Sequence, residues 1–388
     1  MAVKTNCERG KYKYFRISAT IGKTADGKPI RKDFMGKSQK EAIAKRDAYL
    51  AELNKGLAIE YDKMKLGELM NVWLFDYVKV RSAPNTLARY VNVYNNYVKT
   101  TELNSKRLCE IKFLYLQKYY NKLFSEGKRT TQIFNLNKVL RTFFNFCITN
   151  SYMLVNPTYK IVIPKDDSNS NLTGVDIFTD EEINQITQSA KGYSYILFRL
   201  ALATGLREGE LLGLELGAVD LEANELIVRQ ALKSITVYTD ADTSTKQTIT
   251  GETKNKKTRT VPIPQSLISE IKTHINCQKA LFFKNGLIYN DTDFLFTTEG
   301  CQPINARNWQ RAWERLLKRA GVRHRKFHNV RHTYASKLFA AGVDLKTVST
   351  LLGHSNIGIT ADTYTHVIPK LKTDAADKID YLFASTGK

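Results

Sequence analysis

"FHNVRHTYAS", residues 327–336, and "LLGHSNIGITADTYTHV", residues 351–367, decide how this chain is read. Five of its six histidines, His324, His328, His332, His354 and His366, lie in that C-terminal region. His328 and Arg331 stand at i and i+3 and share one face of a helix, which Gly342 ends. A second short helix, "DLKTVSTLL", opens at Asp344 and stops at Gly353, leaving His354 at its C-terminus. Tyr364 follows on a third turn. Histidines that bind a metal usually keep a carboxylate or thiolate at helical spacing, whereas the helix partner of His328 is an arginine, which repels a cation. Arginines with histidines and a lysine suit a phosphoryl group instead. A guanidinium forks onto phosphoryl oxygens and offsets the charge of a pentavalent transition state.

The whole chain agrees with an anionic partner. It carries 59 Lys+Arg against 38 Asp+Glu, a formal net charge of +21, and such an excess points to a polyanion, nucleic acid first. No apolar run of about 18 residues is present, which argues against a membrane. The N-terminus lacks the apolar region of a signal peptide. Cys7, Cys109, Cys147, Cys277 and Cys301 are far apart, odd in number and without a C-x-x-C, so neither a disulfide framework nor a zinc site is expected. A cytoplasmic protein of two or three domains follows from these observations and the length of 388 residues.

Three segments can be drawn. Residues 1–60 alternate as a small sheet: Phe15, Ile17 and Ala19 point one way, Tyr14, Arg16 and Ser18 the other. Asp26–Gly27 supplies a turn, "PIRKDFM" the returning strand, and Ser38 with Glu41 a capping box for a helix to about Asn54. Tyr12, Tyr14, Arg16, Arg31 and Lys32 are assigned to the exposed face, suited to a DNA groove and equally to plain solvation. Residues 64–165 are helical in pattern: Leu66, Leu69, Trp73 and Tyr77 make one stripe, Pro84 opens the next helix, and Ile133, Leu136, Leu140, Phe143 and Phe144 recur at helical spacing. These aromatics read as the core of a four- or five-helix bundle. "PKDDSNSNLTGVD" (164–176) is a polar linker. Thr179 with Glu182 then caps the first helix of the largest segment, 175–388.

Two further patches lie in that segment. "ATGLREGELLGL" (203–214) sets Gly205 just before Arg207 and puts Glu210 on a short amphipathic helix. "TKNKKTRTVPIP" (253–264) reads as the return of a β-hairpin, with lysines near the tip and Val261 and Ile263 alternating into a proline. Each is weak alone. With the two C-terminal stretches, in this order and at these intervals, they resemble the tyrosine recombinase (phage integrase) family over the whole third segment. The flanking layout is similar to that of integrases of phages and conjugative transposons.

The resemblance implies a multidomain α+β protein: a three-stranded sheet plus helix as arm-site DNA-binding domain (1–60), an all-α core-binding bundle (64–165), and a mainly α catalytic domain with a small β-sheet (175–388). It implies a site-specific recombinase that cuts and rejoins attachment-site DNA through a 3′-phosphotyrosine, without ATP, metal or cofactor. Tyr364 would be the nucleophile, His328 the general base, Arg207 and Arg331 the phosphate clamp, and His354 a donor to a non-bridging oxygen. Lys254 would protonate the leaving oxygen, with Lys256 or Lys257 as alternatives because "TKNKK" departs from the family's usual T-K-T or S-K-T. Glu210 would support the helix of Arg207, while His332 and His366 read as structural. Implied partners are double-stranded DNA at core and arm sites, three more copies in a synaptic tetramer, an excisionase and a host DNA-bending protein, all at the nucleoid. The tail stripe Ala375, Ile379, Leu382 and Phe383 would pack within the chain or, as such tails often do in this family, dock on a neighbouring copy. A chromosome dimer resolvase, a type IB topoisomerase and a catalytically silent DNA-binding regulator are the alternatives.

Overall fold

The computed structural model describes residues 7–9, 12–23, 29–55, 64–150, 152–165, 176–252 and 258–364. Lys254, Lys256, Lys257, His366 and the tail stripe lie outside them, as does the side chain of Tyr12. The chain forms two compact units, residues 1–169 with 236–245, and residues 170–235 with 246–388.

In the first unit, β1 (Cys7–Arg9), β2 (Tyr12–Lys23) and β3 (Pro29–Gly36) form an antiparallel sheet in that order. Ile17 stands opposite Phe34, and the register slips between Thr20 and Gly22. Helix α1 (Gln39–Lys55) lies against β2 and β3. Glu41 N–H donates to Ser38 Oγ at 3.2 Å, the first half of the expected capping box, while the Glu41 carboxylate accepts from Lys37 N–H at 2.8 Å, one residue before the N-cap N–H that the box calls for. Phe34 is buried, 5.3 Å from the Tyr49 ring of α1.

The bundle of the same unit contains α2 (Leu66–Val72), α3 (Lys79–Arg81), α4 (Pro84–Tyr94), α5 (Phe113–Ser125) and α6 (Thr130–Thr149). Ile133, Leu136, Leu140, Phe143 and Phe144 are fully buried, and Trp73 meets Phe143 at 5.4 Å edge-on. Tyr77 departs from the expected stripe and is exposed. The chain between α2 and α3 winds as a π-helix over Trp73–Val78. That wider turn shifts the phase of the helix and brings Leu74 and Val78 inward in its place. Residues 236–245 contribute Ala241 to this core, where Asn95 Nδ2 donates to its carbonyl at 2.8 Å.

The second unit begins with α7 (Asp180–Ser189), α8 (Tyr193–Thr204) and α9 (Glu208–Leu212). Glu182 N–H donates to Thr179 Oγ1 at 3.2 Å, again as the capping box requires. Strands β4 (Val219–Asp220), β5 (Glu225–Val228) and β8 (Arg259–Pro262) form one sheet, and β6 (Gln230–Tyr238) pairs with β7 (Ser244–Glu252). The turn of the β6–β7 hairpin lies at residues 239–243, and the lysines expected near a hairpin tip, in 253–257, lie outside the described residues. Helices α10 (Gln265–Lys284), α11 (Ala306–Ala320), α12 (His328–Ala340), α13 (Leu345–Leu352) and α14 (Ile357–Tyr364) complete the unit. Trp309, Trp313, Phe178, Phe198 and Phe327 fill its core. No described helix is long and apolar enough to cross a membrane.

Candidate active site

The site is built where three helix ends meet. Helix α8 stops at Gly205, whose φ of +61° is left-handed, a conformation open to glycine at little cost. A Cβ there would stand 2.2 Å from the Tyr334 ring. This turn delivers Arg207 to the first position before α9. The Glu210 carboxylate accepts from the Arg207 backbone N–H at 3.0 Å and from its Nη1 at 2.9 Å.

Helix α13 opens on Asp344, whose carboxylate accepts from Lys346 and Thr347 N–H groups, and closes on Gly353 at φ +65°. Three successive carbonyls at its C-terminal end each accept from a different arginine. Arg259 Nε reaches Leu351 O at 3.3 Å, Arg331 Nη2 reaches Leu352 O at 2.7 Å, and Arg207 Nη2 reaches Gly353 O at 3.4 Å. A helix C-terminus carries partial negative charge and unsatisfied carbonyls, so it gathers these cations. Arg331 is 3% exposed and also donates to Gly205 O at 2.8 Å, which ties the "TGLR" turn to the "LLGH" turn.

Arg259 is the site residue that attention to the lysines missed. It binds Glu210 through Nη1 at 3.1 Å and Nη2 at 2.6 Å. The signal was present in "TRTVPIP": Arg259 shares parity with Val261 and Ile263, both buried, so strand alternation aims it inward, where a charge needs a partner. Glu210, 2% exposed, is that partner. Burial raises a carboxyl pKa, yet Arg259 and Arg207 overcome this and hold Glu210 down at about 2.

His328 and His354 are uncharged at neutral pH. Burial, then His332, Arg331 and Arg207, pushes His328 down to about 4, and burial with Arg331 and Arg207 does the same to His354. His354 Nδ1 lies 2.7 Å from the hydroxyl of Thr360, itself fully buried on α14. This contact fixes the ring and makes Nε2 the nitrogen that faces away from α14. Arg331 is pushed down to about 9 by burial and by Arg207. Tyr364 is 2% exposed, packs on Phe339 at 5.4 Å, and is pushed up to about 12 by burial, against the charge of Arg331. Its hydroxyl lies 2.9 Å from His332 Nδ1.

Residues 176–370 match the Phage integrase family and residues 65–124 the Phage integrase N-terminal SAM-like domain. The chain is 45% identical to the "Tyrosine recombinase XerC-like" protein of Caldanaerobacter subterraneus subsp. tengcongensis, over 99% of this chain and all of that one. It belongs to the phage integrase family. It is a tyrosine recombinase, a site-specific DNA-recombining enzyme. The fold is also that of two solved structures. The Tn1549 transposon integrase in complex with transposon right end DNA is 21% identical, with a TM-score of 0.65 over 82% of this chain and 99% of that one. The lambda integrase dimer bound to a COC′ core site is 16% identical, with a TM-score of 0.56 over 88% of this chain and 90% of that one.

In this recombinase, α9, β8, α12, α13 and α14 thus bring together Arg207, Glu210, Arg259, His328, Arg331, His332, His354 and Tyr364. On the small sheet, Arg16 pairs with Asp33 at 2.5 Å, and Tyr14 shares its side of the strand by alternation. Arg31 is exposed opposite Thr20. Lys32 is exposed as expected but has the parity of Phe34, and its ammonium sits 3.8 Å over the Tyr49 ring of α1.

Proposed function

We propose that this recombinase integrates and excises a mobile element by cutting and rejoining attachment-site DNA through a 3′-phosphotyrosine at Tyr364. The observation that carries the reading is a positive site short of anions. Two arginines, Arg207 and Arg259, share one carboxylate, Glu210, and Arg331 rests on two carbonyls. A scissile phosphate supplies the missing charge. Arg207 and Arg331 clamp its oxygens, His354 donates from Nε2, and the phenol proton passes to the histidines of α12, His328 by correspondence with the family. The leaving 5′ oxygen takes its proton from a lysine of the 253–257 run, Lys254 first. Because the phosphoester is exchanged and not hydrolysed, rejoining needs no ATP.

Tyr14, Arg16 and Arg31 on the small sheet offer a second DNA contact, which favours an arm-binding integrase. Double-stranded DNA at core and arm sites, a synaptic tetramer, an excisionase and a DNA-bending protein are the partners of such an enzyme, acting at the nucleoid. The name of the 45% relative favours a second reading, a resolvase acting on one chromosomal site.

The test is a duplex spanning both flanks of the gene, nicked to trap cleavage. An SDS-resistant adduct at Tyr364, absent in Tyr364→Phe while DNA binding persists, is the expected result. Cleavage retained by the phenylalanine variant ends the nucleophile assignment. A crossover mapped away from the gene's flanks favours the resolvase.

A further inference from the structure

Helix α12 presents two imidazoles on one face, His328 and His332, one turn apart, with ring centroids 4.9 Å apart and planes nearly perpendicular. The second reaches the nucleophile. His332 Nδ1 stands 2.9 Å from Tyr364 Oη, with ring centroids 5.9 Å apart. A hydroxyl that donates to Nδ1 requires that nitrogen to lack a proton, which places the ring proton on Nε2. Burial and the charge of Arg331 keep the ring neutral, as this needs. A phenol held among Phe339, Leu352 and Val348 cannot give its proton to bulk water, so a base must lie within hydrogen-bond reach.

Resting on the phosphotyrosine reading, we infer that His332 is a second catalytic histidine, which fixes the Tyr364 hydroxyl and accepts its proton during attack. The Oη–H bond breaks and its proton goes to His332 Nδ1 while Oη bonds to phosphorus. The bond from phosphorus to the 5′ oxygen breaks with its electron pair, and that oxygen takes a proton from the lysine acid. In the reverse step the imidazolium returns its proton to the departing phenolate. This assignment takes the proton-accepting part from His328, which the family correspondence had given it, and leaves His328, beside Arg331, to serve the phosphate oxygens.

The test uses the full-length protein on the nicked duplex whose crossover the wild-type adduct has mapped. His332→Asn sets an amide where Nδ1 stands, so it keeps a hydrogen bond but is no base; His332→Ala removes both. Both variants are expected to bind DNA as wild type does and to form the Tyr364 adduct about 10²-fold more slowly. Between about pH 6.5 and 7.5 their rates should rise with hydroxide in first order, since solvent must now take the proton, while the wild-type rate stays nearly flat. The shifted groups around the ring do not change state in that window: His328 and His354, held down near 4, are neutral, Glu210, held near 2, is ionised, and Arg331, held near 9, is charged. A wild-type rate in His332→Ala overturns the inference, as does a wild-type rate in His332→Asn, which would leave only a structural hydrogen bond. A slow, pH-independent rate in both overturns the proton-acceptor role. Absence of any wild-type adduct overturns the parent reading and this inference with it.

Discussion

Glu210→Gln perturbs the charge balance of the site while preserving its shape. The carboxylate is 2% exposed and takes four donors, the Arg207 N–H and Nη1 and both terminal nitrogens of Arg259. The amide keeps one acceptor and turns an NH2 toward a guanidinium. Two estimates of the cost agree. The fall of its pKa from 4.5 to about 2 is worth about 3 kcal/mol, and removing one partner of a buried ion pair costs about 3–5 kcal/mol. For a unit of this size, about 3 kcal/mol lowers Tm by roughly 6–12 °C. The sign with pH follows from the depressed pKa: the stabilisation is full above about pH 4.5 and disappears as pH falls through about 2. Thermal unfolding of both proteins, followed by near-ultraviolet circular dichroism, should therefore show a wide gap at neutral pH that narrows toward about pH 2–3. A gap below about 2 °C at neutral pH, or one that does not narrow in acid, refutes the view that Glu210 bears the arginine cluster.

Arg331→Lys keeps the charge but loses the fork that spans Gly205 O and Leu352 O, so adduct formation should fall about 10²–10³-fold with DNA affinity nearly unchanged; a fall below about fivefold would contradict the clamp. Gly205→Ala combines a left-handed φ with a Cβ 2.2 Å from the Tyr334 ring and should cost about 2 kcal/mol or more by denaturant unfolding. Adding Tyr334→Ala should cost less than the two single changes together, since the clash is then gone.

The caps and most core positions were legible because they follow local rules. Ser38, Thr179 and Asp344 cap helices through their own side chains, and Ile133 to Phe144 repeat at a helical period. The misreadings arose where a non-local or subtle backbone event intervenes. A π-turn after Val72 turns Tyr77 outward, and no periodicity count detects one extra residue per turn. Lys32 obeyed strand alternation, which the grouping by residue type had overridden. His332 was set aside as structural since only tertiary folding carries Tyr364, 32 positions later, to its Nδ1. Arg259 could have been found from parity alone.

The manner in which the arginines are held explains how a buried cluster of like charges can stay reactive. A carboxylate opposite each guanidinium would stabilise the fold, but it would also compete with a phosphate for the same donors. Here one carboxylate is shared between Arg207 and Arg259, and Arg331 is held by neutral carbonyls of the α8 and α13 ends. Carbonyls orient a guanidinium without discharging it, and Arg331 accordingly remains less stable as a cation than an exposed arginine. Under the proposed clamp, an incoming phosphate would relieve that penalty, most of all as it gains charge in the pentavalent state, and so convert the strain into differential binding of the transition state. On this argument sulfate, at an ionic strength matched with chloride, should raise thermal stability by binding the arginines while slowing cleavage. Faster cleavage in sulfate would mean that charge balance, and not its absence, drives the reaction.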